Sequence, residues 1–278
     1  MSNLPNPKEF ASFKAELSKT IKFDEVEQSY DLKNIFDSLQ NNSIPSWYIS
    51  KLIDLEILEH NPKAKEILKR FICYSKLDDS IVIVLKDKEE IKTIAINRAK
   101  DKEGNLIKWK TFGSKKYIQY KIKDDFVFII YGMSEIILCE LFDISYIAFQ
   151  SDSITFGLDN HNQWIEEIKP MIQDKYLILL LDNDDSCRKT INPIKEQLAT
   201  PENAIIIEMI DLLQTKAFLT DTTGIVSIES RKKWQEHHKD ILIKGYDFKD
   251  FCNEVKNPQT IEEILKNTIK AKLWILMT

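Results

Sequence analysis

Three carboxylates stand within four positions at the end of an apolar run. The six residues Tyr176–Leu181 lead directly into Asp182, Asn183, Asp184 and Asp185. The run predicts a buried strand, and two carboxylates two positions apart, where the strand turns, can together bind Mg²⁺ or Mn²⁺. Such a cation offsets their mutual repulsion and polarises a phosphoryl oxygen for in-line attack. The alternative is a solvated acidic turn that caps the next helix, because aspartate is a favourable N-cap residue.

Several other kinds of site are disfavoured by spacing. A strand that ends in aspartate also occurs in P-loop NTPases, but no two of the six glycines have the spacing of a phosphate-binding loop. The four cysteines stand far apart with no C-x-x-C pair, so we expect neither a zinc site nor a disulfide framework. His237 and His238 are adjacent and point apart on a predicted helix, which favours a surface position over a metal site.

The composition indicates a globular protein with an uneven distribution of charge. The chain has 278 residues, of which 43% are apolar, and a net charge of −5. Residues 86–123 carry 12 basic and 5 acidic residues, a local charge of +7 that leaves −12 for the remainder. No apolar run approaches the length of a membrane span, and the first residues lack the apolar core of a signal peptide. We therefore expect a protein of the reducing cytoplasm without a membrane partner.

Basic and aromatic side chains alternate within the positive segment. Its tryptophan, phenylalanine and tyrosines are interleaved with Lys108, Lys110, Lys115 and Lys116. Lysines follow phosphates and aromatic faces stack on bases, so the segment predicts an interface for a single strand or a duplex of nucleic acid. The alternative is a pair of solvated strands in a chain that is rich in lysine throughout.

Elements of different periodicity must position these side chains. Residues 1–75 repeat apolar residues at spacings of three and four, which predicts helices. Two apolar runs, 80–85 and 91–98, are joined by a short charged segment and predict a β-hairpin or meander. From residue 124 onward, short apolar runs alternate with amphipathic stretches, which predicts a parallel sheet buried on both faces. Ligands collect at the carboxyl ends of the strands of such a sheet, and Asp182 lies at one of these ends.

Residues 126 to about 210 resemble a TOPRIM domain, the metal-binding module shared by topoisomerases and bacterial-type primases. In that family one strand ends in an acidic residue and glycine, a second acidic residue follows three positions later, and a later strand ends in Asp-x-Asp. The matching segments here are IIYGMSE, with Gly132 and Glu135, and LLDNDDSCR, with Asp182 and Asp184. The resemblance implies that Glu135, Asp182 and Asp184 bind Mg²⁺ or Mn²⁺ and carry the catalysis.

Tyr131 departs from the family pattern, since it stands where the family has a glutamate before the glycine. A phenol is neither a carboxylate ligand nor a base near neutral pH. A packing role is the ordinary one for a tyrosine at a strand end, and a tyrosine nucleophile is the alternative. Glu135, in the first turn of the next predicted helix, either substitutes in part for the missing carboxylate or is simply a favourable acid at a helix N-terminus.

The resemblance extends weakly to both sides of this region. IVIVLKDKEEIKTIAINR and FGSKKYIQY are similar to the basic subdomain that precedes TOPRIM in primases. The nucleic-acid contacts implied by this likeness are Arg98, Lys115 and Lys116. GYDFKDFCNE resembles an acidic motif that follows the core, so that Asp247 and Asp250 either add a distal carboxylate to the metal site or begin a helix. Arg188, one turn into the helix after the acidic strand end, is placed to contact a phosphate.

The expected architecture is α/β. It comprises a helical region in 1–75, a small basic β-containing subdomain in 76–123, and a TOPRIM-like parallel sheet flanked by helices in 124–278. The first hypothesis is a primase-like protein that binds divalent metal and nucleic acid and synthesises RNA primers when a chromosome or mobile element is replicated. The implied partners are single-stranded DNA or RNA, nucleoside triphosphates and a replicative helicase. The second hypothesis is a catalytically degenerate TOPRIM protein that binds nucleic acid as a replication accessory; nuclease and topoisomerase chemistry also stay open.

Overall fold

The structure is a computed structural model, and it describes the chain in thirteen segments. These are residues 32–40, 44–45, 49–50, 53–76, 79–97, 109–114, 117–150, 163–183, 185–198, 203–219, 233–234, 236 and 245–277. The helical prediction for residues 1–31 falls outside them. So do the predictions for Arg98, Lys108, Lys115, Lys116, Asp184, His237 and His238.

The first half of the described chain forms three helices and an antiparallel sheet. The helices are α1 (Leu32–Gln40), α2 (Leu55–Glu59) and α3 (Ala64–Phe71). The strands are β1 (Ile72–Ser75), β2 (Ser80–Asp87), β3 (Glu90–Asn97) and β4 (Trp109–Gly113), paired antiparallel in that order. The hairpin predicted from the two apolar runs is thereby confirmed. Strand β1 lies in a segment for which we predicted helix, because its pairing with β2 is a tertiary contact that local periodicity does not show.

The second sheet has five strands in the order β5-β7-β6-β8-β9. They are β5 (Gln119–Lys121), β6 (Phe126–Tyr131), β7 (Tyr146–Phe149), β8 (Tyr176–Leu181) and β9 (Ala204–Glu208). The last four are parallel, as the alternation of apolar runs and amphipathic stretches predicts, and β5 pairs antiparallel with β7 at one edge. Strand β5 thus belongs to this sheet, although we assign its residues to the basic subdomain from the sequence.

Helices cover both faces of the parallel sheet. They are α4 (Met133–Leu141), α5 (Gln163–Ile172), α6 (Asp185–Lys189), α7 (Ile191–Leu198), α8 (Met209–Leu219), α9 (Phe248–Val255) and α10 (Pro258–Met277). Alternate residues of β6 enter two cores: Phe128 and Ile130 pack with α4, α9 and α10, whereas Val127 and Ile129 pack with α5 and α7. The chain is therefore a mixed α/β protein whose parallel sheet is flanked by helices.

All four cysteines are buried and carry free thiols. None of the helices in the described segments combines the length and the apolar character that crossing a membrane requires.

Candidate metal and nucleic-acid site

The two acidic motifs meet at one edge of the parallel sheet. Strands β6 and β8 are hydrogen-bonded parallel neighbours, with Ile129 opposite Leu179, so both strands end at the same edge. Gly132 follows β6 directly and Asp182 follows β8 directly. We call the residues at the four parallel strand ends, Gly132, Gln150, Asp182 and Glu208, the carboxyl edge. This adjacency brings together motifs that are far apart in the sequence.

Gly132 makes the turn that folds Glu135 back toward this edge. Its φ is +99°, in the region that favours glycine, and a Cβ there would lie 2.5 Å from Oε2 of Glu135. The Glu135 side chain is buried, with only 6% of the residue exposed, and it accepts hydrogen bonds from Ser134 Oγ at 3.1 and 3.2 Å. The glycine therefore supplies both the backbone conformation and the space that the carboxyl group occupies.

Glu135 is electrostatically coupled to two other carboxylates. The pKa of Glu135 is raised to about 8, mainly by burial and also by the charges of Asp247 and Asp182, while a backbone hydrogen bond and the charge of Lys249 act in the opposite direction. A buried carboxyl group that faces like charges is more stable protonated than ionised. The same three groups would be stabilised as anions by a cation placed among them.

Asp247 reaches the site through backbone hydrogen bonds between distant segments. Asn183 N donates to Tyr246 O at 2.9 Å, and Gly245 N donates to Asn183 O at 3.0 Å. Asp247 then caps α9, where Asp250 N donates to its Oδ1 at 2.8 Å. The structure thus confirms that Asp247 begins a helix. Its charge also interacts with that of Glu135, and its role as a distal metal ligand stays a prediction.

The helix that follows β8 carries Asp185 and Arg188. Asp185 is the first residue of α6. Arg188 Nε donates to Oε1 of Glu208, the last residue of β9, at 3.0 Å, and both side chains are partly exposed. An exposed ion pair of this kind is worth at most about 1 kcal/mol, so a phosphate can compete for the guanidinium. We did not single out Glu208 from the sequence, although its position at the end of an apolar run was the available signal.

The Asp182 side chain contacts the helix that follows it. Its Oδ2 accepts a hydrogen bond from Cys187 Sγ at 3.6 Å, and Cys187 is buried. The contact ties the end of β8 to the first turns of the following helices.

Tyr131 points away from Glu135, toward the opposite face of the sheet. It is 8% exposed, stacks on Phe149 with ring centroids 6.2 Å apart, and packs in the core that contains α5 and α7. Its hydroxyl lies 2.7 Å from Thr190 Oγ1. Because Thr190 Oγ1 donates its own hydrogen to Cys187 O, Tyr131 is the donor to Thr190. The structure thus gives the phenol a packing environment.

The carboxylates at this edge are side chains of the type that bind divalent cations. Mg²⁺ and Mn²⁺ prefer carboxylate oxygens, and Glu135, Asp182 and Asp247 are the carboxylates whose charges interact. Among the described residues, however, no three His, Cys, Asp or Glu side chains are gathered closely enough to hold a metal ion. Asp184, the second residue of the Asp-x-Asp pair, lies outside that set.

The described lysines of the antiparallel sheet lie over aromatic rings. Lys110 Nζ is 5.4 Å from the ring centroid of Phe112, Lys86 Nζ is 4.1 Å from that of Phe36, and Lys92 Nζ is 5.6 Å from that of Trp164. Each such contact stabilises by about 0.5–1 kcal/mol at exposed sites and leaves the positive charge in place. Part of the basic and aromatic alternation therefore serves the fold itself.

Comparisons with known proteins give a weak structural likeness. No family model matches the chain, and no curated protein matches it. The chain is similar to the crystal structure of the primase fragment of the bacteriophage T7 primase-helicase protein, with a TM-score of 0.37 and 13% identity over 63% of this chain. The match spans 66% of that fragment, just under two thirds of its length. A likeness this weak identifies neither the family nor the function of the chain.

Proposed function

We propose that this chain is a primase-like protein of the TOPRIM type, which binds Mg²⁺ or Mn²⁺ at the carboxyl edge and holds phosphate groups of nucleic acid there. The observation that carries the proposal is the pairing of β6 with β8, since it brings Glu135 and Asp182 to one edge. The electrostatic coupling of Glu135 to Asp182 and Asp247 supports the same site. The ligands proposed are single-stranded DNA or RNA and nucleoside triphosphates.

Glu135, Asp182 and Asp184 would hold the cation in this proposal, and the charge of Asp247 would lie nearby. When bound, the ion supplies positive charge that neutralises these carboxylates and polarises a phosphoryl oxygen. Glu135 must first release the proton that burial and its acidic neighbours favour at neutral pH. Because ligands must be deprotonated, metal affinity should rise with pH up to and beyond pH 8.

Positively charged side chains would hold the nucleic-acid backbone in this proposal. Residues 86–123 carry a local charge of +7, and Lys86, Lys92 and Lys110 are its members on the described strands of the antiparallel sheet. Arg188 lies at the carboxyl edge itself, in an ion pair with Glu208 that a phosphate can replace. We propose primer synthesis as the reaction.

A second candidate is a protein that binds nucleic acid without turnover. Tyr131 occupies the position of the family glutamate, and its side chain contributes a hydrogen bond to Thr190 on the face opposite Glu135. A site that lacks this carboxylate keeps its metal and phosphate affinity while losing a general base. A replication accessory would need no more than that.

Fluorescence anisotropy of a labelled single-stranded oligonucleotide tests the shared part of both candidates. We expect binding to weaken with salt, at a slope of about −0.7 per phosphate contact, and to strengthen with millimolar Mg²⁺ or Mn²⁺. Asp182→Asn combined with Asp247→Asn should abolish the metal-dependent gain. Asp125→Asn is the matched control, because Asp125 pairs with Lys175 at the opposite end of the sheet. Absence of binding at low salt with metal would overturn both candidates.

Primer synthesis on a single-stranded template separates the two candidates. Incorporation of labelled nucleotides by the wild-type protein, lost in Asp182→Ala with Asp184→Ala, supports the enzyme. Equal incorporation in both proteins would remove the roles assigned to these aspartates. Oligonucleotide binding with metal-dependent gain but without incorporation supports the accessory protein.

A further inference from the structure

Gln150 joins the two sheets at the carboxyl edge. It directly follows β7, and its amide Nε2 lies 2.9 Å from Ser114 O, 3.2 Å from Thr93 Oγ1 and 3.3 Å from Tyr117 O. Thr93 belongs to β3 of the antiparallel sheet, and Ser114 and Tyr117 lie between β4 and β5. A single side-chain amide therefore bridges the parallel sheet, the antiparallel sheet and the connection between them.

The path of the chain out of β4 is fixed on the antiparallel side of this bridge. Thr93 is fully buried, and its hydroxyl donates to Ser114 O at 2.7 Å. Ser114 N donates to Lys92 O at 2.9 Å. Gly113 has a φ of +81°, and a Cβ at this position would clash with Lys92 O. The acceptor groups that face Gln150 are thus held in place by interactions that do not involve its amide.

The other side of the bridge leads to the carboxylates. Phe149, the residue before Gln150, accepts a hydrogen bond through its carbonyl from Gly132 N at 3.1 Å. Gly132 in turn lies directly against the carboxyl group of Glu135. Hydrogen bonds and close contacts therefore run without a break from β3 of the antiparallel sheet to the candidate metal site.

We propose that Gln150 is a positioning residue, which fixes the basic antiparallel sheet in register with the carboxylates of the edge. This inference rests on the proposed function and adds a requirement to it. A nucleic-acid strand held by lysines of the antiparallel sheet presents a phosphate to the metal only if the distance between the two sheets is fixed. Functional constellations need such support to within about 0.5 Å. Gln150 supplies it because its amide contacts both sheets at once.

Gln150→Met is the direct test, because methionine is similar in size and lacks the amide donor. We expect the metal-dependent gain in oligonucleotide affinity to be lost. Metal-independent binding at low salt and the binding of Mn²⁺ to the protein alone, followed by electron paramagnetic resonance, should stay close to wild type. Asn203→Leu is the matched control. It removes a hydrogen bond of 2.9 Å from the side-chain amide of Asn203 to Lys175 O, at the opposite end of the sheet. This control should keep the gain.

Circular dichroism melting shows whether each variant is folded. If Gln150→Met does not fold, Thr93→Val serves instead, because it keeps the shape of the side chain and removes one partner of the amide. A partial reduction of the metal-dependent gain is then expected.

The outcomes distinguish the inference from the proposed function. A wild-type protein without metal-dependent gain overturns the proposed function and the inference with it. A wild-type gain that folded Gln150→Met or Thr93→Val retains overturns the inference alone. Loss of Mn²⁺ binding to the Gln150→Met protein itself also overturns it, because the residue would then support the metal site and not the register between the sheets.

Discussion

Asn183 and Tyr246 are joined by a backbone hydrogen bond of 2.9 Å, in which the amide of Asn183 donates to the carbonyl of Tyr246. The carbonyl of Asn183 accepts a second bond from Gly245 N at 3.0 Å. These two bonds attach the segment before α9 to the turn after β8. As a result, Asp247 comes near enough to Glu135 for their charges to interact, and the charge of Asp182 acts on Glu135 in the same direction.

Because the folded state favours the protonated form of Glu135, the free energy of unfolding should decrease as the pH rises. Its pKa is about 8 in the folded state, against an ordinary value of 4.5, so the folded state binds this proton more tightly than the unfolded state. The contribution is fully present below pH 4.5 and is lost between pH 4.5 and 8. Glu135→Gln should remove the dependence and be more stable at pH 8, by on the order of a few kcal/mol, since one pKa unit corresponds to about 1.4 kcal/mol.

Urea denaturation between pH 5 and 9 measures this difference. Parallel curves for wild type and Glu135→Gln over the whole range would contradict the assignment. Under the proposed function, millimolar Mn²⁺ should stabilise the wild-type protein at pH 8 more than the variant, because a ligand that binds only the folded state adds to stability.

Gly132→Ala should be strongly destabilising. The substitution places a Cβ at φ +99° and 2.5 Å from the Glu135 carboxyl group, so we expect a loss of more than about 2 kcal/mol in the free energy of unfolding. Gly245→Ala is the control, because Gly245 also has a positive φ of +82°, whereas in the described part of the chain no atom beyond its chain neighbours lies within 4 Å of the added Cβ. It should lose only the conformational part, about 1 kcal/mol.

Chemical denaturation of both glycine variants gives the comparison. Adding Glu135→Ala to Gly132→Ala should recover part of the loss, since the clashing oxygen is then gone. If the double mutant instead loses as much free energy of unfolding as the two single mutants together, then the backbone conformation, and not the carboxyl group, is the reason that glycine is required.

Tyr131→Phe should lower stability and leave nucleic-acid binding unchanged. The variant keeps the stacking on Phe149 and removes only the hydrogen bond to Thr190, which costs about 0.5–1.5 kcal/mol. Thermal unfolding and oligonucleotide anisotropy measure the two effects. Loss of primer synthesis in a folded Tyr131→Phe protein would instead support the hypothesis that Tyr131 is a nucleophile.

Arg188→Gln should reduce the salt dependence of oligonucleotide binding. One lost phosphate contact changes the slope by about 0.7 for a single strand. Glu208→Gln should have the opposite effect on affinity, because it removes the carboxylate that now pairs with Arg188. Lys169→Gln is the control, since Lys169 also forms a surface ion pair but lies in α5. Equal slopes for wild type and Arg188→Gln would exclude Arg188 from the interface.

Local sequence determined the elements of the parallel sheet. Parallel strands are buried on both faces, so consecutive residues must be apolar. Strands β6 and β8 are therefore uninterrupted apolar runs. The same holds for the acidic and glycine residues that follow these strands, since a turn after a buried strand is where polar side chains can leave the core. Fold class and the first members of the candidate site were therefore predictable.

Only the tertiary structure decided which strands are neighbours and which distant groups join the edge. Strand β5 pairs with β7, Asp247 approaches Glu135, Arg188 pairs with Glu208, and Gln150 bridges two sheets. Each of these contacts joins residues that are far apart in the chain and depends on the order of the strands. A periodic pattern records which side of an element is buried, but it carries no information about the element that buries it.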